Sequence, residues 1–183
     1  GFLKGRTGQP DEPLAAGAGA AYENEIVLDV DTMPFVVAKP HQFGNVGPVD
    51  EVAGQPIQQA IIGSCANGRF EDVEIAARVL KGRKVAKGVR FLISPASQQV
   101  YLQCVKAGLI ETLLEAGAQI VTPGCGVCQP KVGFLSDGEV CITATTRNFK
   151  GRKGSMKADI YLAGPLTVAA AALTGKIVNP NEV

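Results

Sequence analysis

The sequence is poor in residues that mark several specialised classes: it has no tryptophan, two methionines, one histidine (His41) and only 5% aromatic residues in 183. It also lacks a dominant charge, with 18 Lys and Arg against 17 Asp and Glu scattered along the chain and a net charge of +1. There is no long basic stripe, which argues against steered binding to nucleic acid or to an anionic membrane. The longest apolar stretch, Tyr161 to Leu173, is broken by Gly164, Pro165 and Thr167. It is too short to span a bilayer and fits a buried strand followed by a buried helix. The opening GFLKGRTGQP has neither a signal-peptide core nor an initiator methionine, so the chain reads as a piece of a longer polypeptide. Five cysteines are an odd, sparse set. They do not suit a disulfide scaffold and fit a cytoplasmic protein with metal-binding or buried thiols.

What is present is 46% hydrophobic and rich in Ala, Val, Gly and Ile, as in ordinary soluble α/β proteins. Residues 1–24 carry weak pattern and are expected to form an extended N-terminal arm. Residues 25–57 hold a short apolar run and then a stretch punctuated by Pro34, Pro40, Pro48 and Pro56, which reads as a connector without its own core. From residue 58 the pattern becomes regular. Strands are expected at Gln59–Ile62, Val89–Ile93, Gln119–Thr122, Val140–Ala144 and Asp159–Leu162. Helices are expected at Phe70–Leu80, Ser97–Lys106, Leu109–Ala116 and from Pro165 to Leu173, with Gly82, Gly108, Gly117 and Gly175 as punctuation. The expected fold is α/β: a three-layer, doubly wound, mostly parallel sheet at 58–183, preceded by the arm and connector at 1–57.

Ligands of such sheets gather beyond the carboxyl ends of the strands, and the segments following the strands are informative. GSCANGR brings Cys65, PGCGVC brings Cys125 and Cys128, and TTRNFKGRKG brings Arg147 and Arg152. Three thiols and two guanidinium groups therefore fall on one sheet edge, in glycine-rich turns. The C-x-x-C spacing lets two sulfurs of one turn face a single metal centre, although zinc sites and redox pairs share it. Structural zinc would want a fourth ligand, and His41 lies away in the Pro-rich connector, so three thiolates with one open position is the economical reading. Cys65 is expected just before a helix N-terminus, where a thiolate is favoured. Cys104 and Cys141 fall within a helix and a strand and read as core thiols. Arginine forks suit a bidentate grip on carboxylate, which suggests a di- or tricarboxylate substrate.

GSCANGRFEDVEIAARVLKG, PGCGVC, TTRNFKGRKG and YLAGPLTVAAAALTGKIVNP resemble, in order and spacing, the final third of the aconitase family's large polypeptide. The upstream PFVVAKPHQFGNVGPVDEVAGQPIQQAIIGSC resembles the connector of its isopropylmalate and homoaconitate branch. The resemblance covers nearly everything after about residue 22. It implies that Cys65, Cys125 and Cys128 hold an oxygen-sensitive [4Fe–4S] cluster whose fourth iron serves as a Lewis acid. It implies further that Arg147 and Arg152 bind substrate carboxylate and that Asn67 and Asn148 stand around the cluster. The implied activity is that of a hydro-lyase acting on a small hydroxy diacid. The acid–base residues would come from missing N-terminal domains and from a small subunit carrying a swivelling domain, leaving no certain catalytic residue in this chain and an isolated chain without activity. Ala66, Thr146 and the Gln129-Pro130 pair depart from the family's usual threonine, asparagine and small-residue-plus-glycine, which touches the cluster's surroundings but leaves all three sulfurs in place. The alternatives are a homoaconitase or related diacid hydratase, a catalytically silent metal-binding module, and a thiol redox protein using Cys125 and Cys128.

Overall fold

The structure, a computed structural model, describes Gly8 and residues 14–183; the first part of the expected arm, residues 1–7 and 9–13, lies outside the described residues. The chain divides into two compact units, Gly1–Met33 and Pro34–Val183. The described part of the first holds local turns only, such as the one closed by the Ala20 N–H donating to the Gly17 carbonyl at 3.0 Å.

The second unit is built on a seven-stranded sheet in the order β2-β1-β7-β6-β3-β4-β5. Its strands are β1 (Val36–Ala38), β2 (Val46–Pro48), β3 (Gln59–Gly63), β4 (Arg90–Ser94), β5 (Gln119–Ile120), β6 (Val140–Thr143) and β7 (Asp159–Ala163). β3 to β7 are mutually parallel, and β1 joins β7 and β2 antiparallel. The compact unit therefore begins at Pro34, within the stretch the sequence suggested was only a connector. Each added strand has three residues, too short for an alternating pattern to show, and Pro48 sits on the edge strand β2, where a missing N–H costs no ladder bond.

The helices are α1 (Ser64–Asn67), α2 (Phe70–Leu80), α3 (Gln98–Lys106), α4 (Leu109–Ala116) and α5 (Pro165–Thr174). Their ends follow local chemistry. Asp72 accepts from the Arg69 N–H at 3.0 Å at the start of α2. The Ser97 hydroxyl accepts from the Val100 N–H at 3.2 Å at the start of α3. Pro165 opens α5, and Gly175, left-handed at φ 79°, closes it.

Strand alternation splits the core in two. Ala60, Ile62, Phe91, Ile93 and Ile142 pack with α2, α4 and α5, and Thr167 to Ala172 of α5 are all buried. On the opposite face Ile61, Leu92, Cys141 and Ile160 are covered by Val127, Leu135 and Ala158. Both faces are covered, as expected, but the second layer has one 3-10 turn (Gly126–Cys128) instead of α-helices. Its segment contains Pro123, Gly124, Gly126, Pro130, Gly133 and Gly138, which disfavour a long helix.

In chain order the parallel strands run fifth-fourth-first-second-third across the sheet. The chain winds outward from β3 through β4 to β5, then restarts at β6 on the other side. Right-handed crossovers then require the connections into β6 and β7 to pass over the face opposite α2–α4, where Val127, Leu135 and Ala158 lie. The switch point falls between β3 and β6, and the crevice beyond their carboxyl ends is where such a sheet binds ligands.

Candidate metal centre

At the end of β3 the chain turns sharply. Gly63 adopts φ 133°, ψ −158°, and a Cβ there would lie 2.1 Å from the Ser94 carbonyl oxygen. Only glycine fits so close to β4. Ser64 follows at φ 73°, an uncommon conformation for a side-chain-bearing residue, and its hydroxyl is buried without a partner. This strained turn presents Cys65, which is exposed. Cys65 sits inside the single turn α1, not just before a helix N-terminus as the sequence suggested; α2 starts only at Phe70.

Asn67 ties this turn across the switch point, its amide donating to the Ala144 carbonyl at the end of β6 at 2.6 Å. The second thiol-bearing turn packs directly against α1. It is anchored by Val127, fully buried on the sheet, and closed by the Cys128 N–H donating to the Cys125 carbonyl at 3.2 Å. Cys125 is exposed, Cys128 is buried, and both are free thiols. The turns bearing Cys65 and the C-x-x-C pair thus meet beside the switch point. Among the described residues no three Cys, His, Asp or Glu side chains already surround one metal-sized point.

Cys104 and Cys141 are fully buried. Burial raises both thiol pKa values, that of Cys141 from 9.0 to about 11.

The loop leaving β6 carries the arginines. Arg147 lies over the Phe43 ring at 5.7 Å and Arg152 over the Phe149 ring at 5.4 Å. Among the described residues neither has a carboxylate partner, since the ion pairs are Lys39–Glu51, His41–Asp159, Arg90–Glu139 and Lys157–Asp137. Asn148 is 1% exposed, and its amide donates to the Lys39 carbonyl at 3.0 Å, holding the connector on the arginine loop; its own oxygen is buried and unpartnered. It reaches connector carbonyls and no cysteine.

Two residues escaped the reading of the sequence. His41, taken there as remote, lines a cavity of about 440 Å³ with Phe43, Arg147, Asn148 and Phe149. Its Nε2 lies 3.4 Å from Asp159. Lys153 is 1% exposed and donates to the Val127 carbonyl in the cysteine turn. A lysine in an Arg-Lys-Gly turn gives no periodic signal of burial. For His41, antiparallel pairing of β1 with β7 was the missing clue.

The donor set suits an iron–sulfur cluster in chemistry: three free thiols on two packed turns, two of them open, with no carboxylate or imidazole among them.

The sequence matches the aconitase family (aconitate hydratase) over residues 36–175. It is 50% identical over 179 residues to the 3-isopropylmalate dehydratase large subunit 2 of Archaeoglobus fulgidus, covering 97% of this chain and 43% of that protein. It is 48% identical to the 3-isopropylmalate dehydratase large subunit of Nitratidesulfovibrio vulgaris (strain DSM 19637 / Miyazaki F), covering 96% of this chain and 42% of that one. A probable methanogen homoaconitase large subunit of Methanosarcina mazei is 49% identical over all 183 residues, 46% of its own length. The chain spans less than half the length of these curated relatives.

Proposed function

The chain belongs to the aconitase family, and on that premise we propose that it is the cluster-bearing part of a hydro-lyase large subunit. The reaction is the reversible dehydration of 2- or 3-isopropylmalate, carried out with the remainder of a large subunit and a small subunit bearing the swivelling domain. The observation that carries this reading is the packing of the Cys65 turn on the Cys125–Cys128 turn at the switch point, beside two arginines that lack carboxylate partners among the described residues.

Cys65, Cys125 and Cys128 would hold the group as thiolates. When bound, a [4Fe–4S] cluster with three protein ligands supplies a Lewis-acidic iron that eases loss of hydroxide. Arg147 and Arg152 bind and orient the substrate's carboxylates, and the phenyl rings beneath them limit where each guanidinium can swing. Asn67 keeps the Cys65 turn in register with the loop that carries the arginines, and Asn148 fixes that loop against the end of β1 and the chain after it. No helix among the described residues is long and apolar enough to cross a membrane. Three free or cluster-bound thiols suit the reducing cytoplasm, where we place the enzyme.

A homoaconitase is the second reading, favoured by the Methanosarcina relative that aligns over the whole chain. One experiment separates the two. The chain is reconstituted anaerobically with iron and sulfide, completed with the rest of a large subunit and a small subunit, and assayed on isopropylmalate and homocitrate. Isopropylmalate turnover is expected, with about four irons and four sulfides per chain. Turnover of homocitrate alone favours the second reading. About one zinc per chain and no turnover would leave only a structural metal module.

A further inference from the structure

Lys153 is the most deeply buried charged side chain in the described fold, at 1% exposure, and lysine is almost never fully buried without a partner. Its ammonium donates to one acceptor, the carbonyl of Val127, which is itself fully buried beside Cys128. Among the described residues it forms no ion pair with a carboxylate. The backbone around it reaches the same loop. The Leu135 N–H donates to the Lys153 carbonyl at 2.8 Å, and the Ser155 N–H donates to the Leu135 carbonyl at 3.0 Å. The residue after Arg152 thus grips the residue before Cys128, joining the turn expected to bind carboxylate to the turn expected to bind iron.

We propose that Lys153 is a positioning residue: it locks the Cys125–Cys128 turn against the arginine turn and places a buried positive charge facing the anion those thiolates hold. The identity of that anion as a cluster rests on the function proposed above; the lock itself does not.

Amide hydrogen exchange and the midpoint potential of the reconstituted cluster, measured on the 183-residue chain, test this. Lys153→Met keeps the length of the side chain and removes donor and charge. The Cys128 and Gln129 amides, which bond the Cys125 and Gly126 carbonyls at 3.2 and 3.3 Å, should exchange roughly tenfold faster or more. Amides of α2 should keep their native rates, and the cluster potential should move to more negative values. Lys153→Arg should recover both readouts towards native. Lys157→Met, at an exposed site paired with Asp137, should alter neither. Should Lys153→Met fail to fold, Lys153→Leu takes its place, and the same shifts in exchange and potential are expected of it. Native exchange at Cys128 and Gln129 in the variant overturns the lock, and an unchanged potential overturns the role of the charge. A native chain that takes up no iron or sulfide overturns the functional reading instead, and the exchange rates then still decide what Lys153 does.

Discussion

Replacing Gly63 with alanine should unsettle the Cys65 turn more than any comparable glycine change on the surface. Two costs add. The backbone at φ 133°, ψ −158° lies in a region open essentially to glycine alone, worth about 1–3 kcal/mol for any other residue. The new methyl would also lie 2.1, 2.7 and 2.8 Å from Ser94 backbone atoms of β4, where relief means moving a central strand, another ~1–3 kcal/mol. The sum, about 2–6 kcal/mol, is a large part of the stability of an ordinary domain and should lower the melting midpoint by roughly 5–20 °C for a chain of this size. Gly138→Ala is the matched control: its φ is 79° and its Cβ would meet nothing within 4 Å, so it bears only the left-handed cost of roughly 1–2 kcal/mol. Thermal unfolding by circular dichroism reads both, and maleimide labelling of Cys65 reports whether the turn has moved. Equal destabilisation by the two substitutions would refute this account of the turn.

Three further outcomes are expected. Thiol labelling under native conditions should modify Cys65 and Cys125 quickly and leave Cys104 and Cys141 untouched until the chain unfolds, since both are fully buried and Cys141 is raised to about 11; early labelling of Cys141 would contradict the packing. Asn67→Leu should cost about 1–3 kcal/mol in denaturant unfolding by leaving the Ala144 carbonyl without its 2.6 Å partner, and a neutral effect would deny the tie across the switch point. The Arg90 hydrogen bonds hold the Glu139 carboxyl below its ordinary 4.5. A lowered folded pKa means that the pair's stabilisation is fully present above 4.5 and fades as the pH falls through the folded value. Glu139→Gln should therefore lose stability at neutral pH and flatten the acid limb of the melting profile, and parallel profiles would count against it.

The helices and parallel strands after residue 58 were legible because apolar periodicity is long enough there to be unambiguous, and because Gly108, Gly117, Pro165 and Gly175 stand at helix ends where the structure uses them. β1 and β2 were not legible. Three-residue strands in a proline-punctuated stretch have no pattern of their own: β1 is created by pairing with β7, and β2 by pairing with β1. The same blindness hid His41, which lines one cavity with Arg147 once β1 is paired with β7. That the cysteine turns and the arginine loop each follow the carboxyl end of a parallel strand was legible from the alternation of strands and helices. How each side chain is held was not. Asn148 binds the connector, and Lys153 is buried because a loop, not a helix, covers that face of the sheet.

Iron and sulfide content after anaerobic reconstitution of single cysteine variants is the measurement that bears most directly on the central claim. Cys65→Ala, Cys125→Ala and Cys128→Ala should each fail to retain a cluster, while Cys104→Ala and Cys141→Ala should load like the native chain. A Cys65→Ala chain that binds iron and sulfide as well as the native one would contradict the joining of the two turns in a single centre.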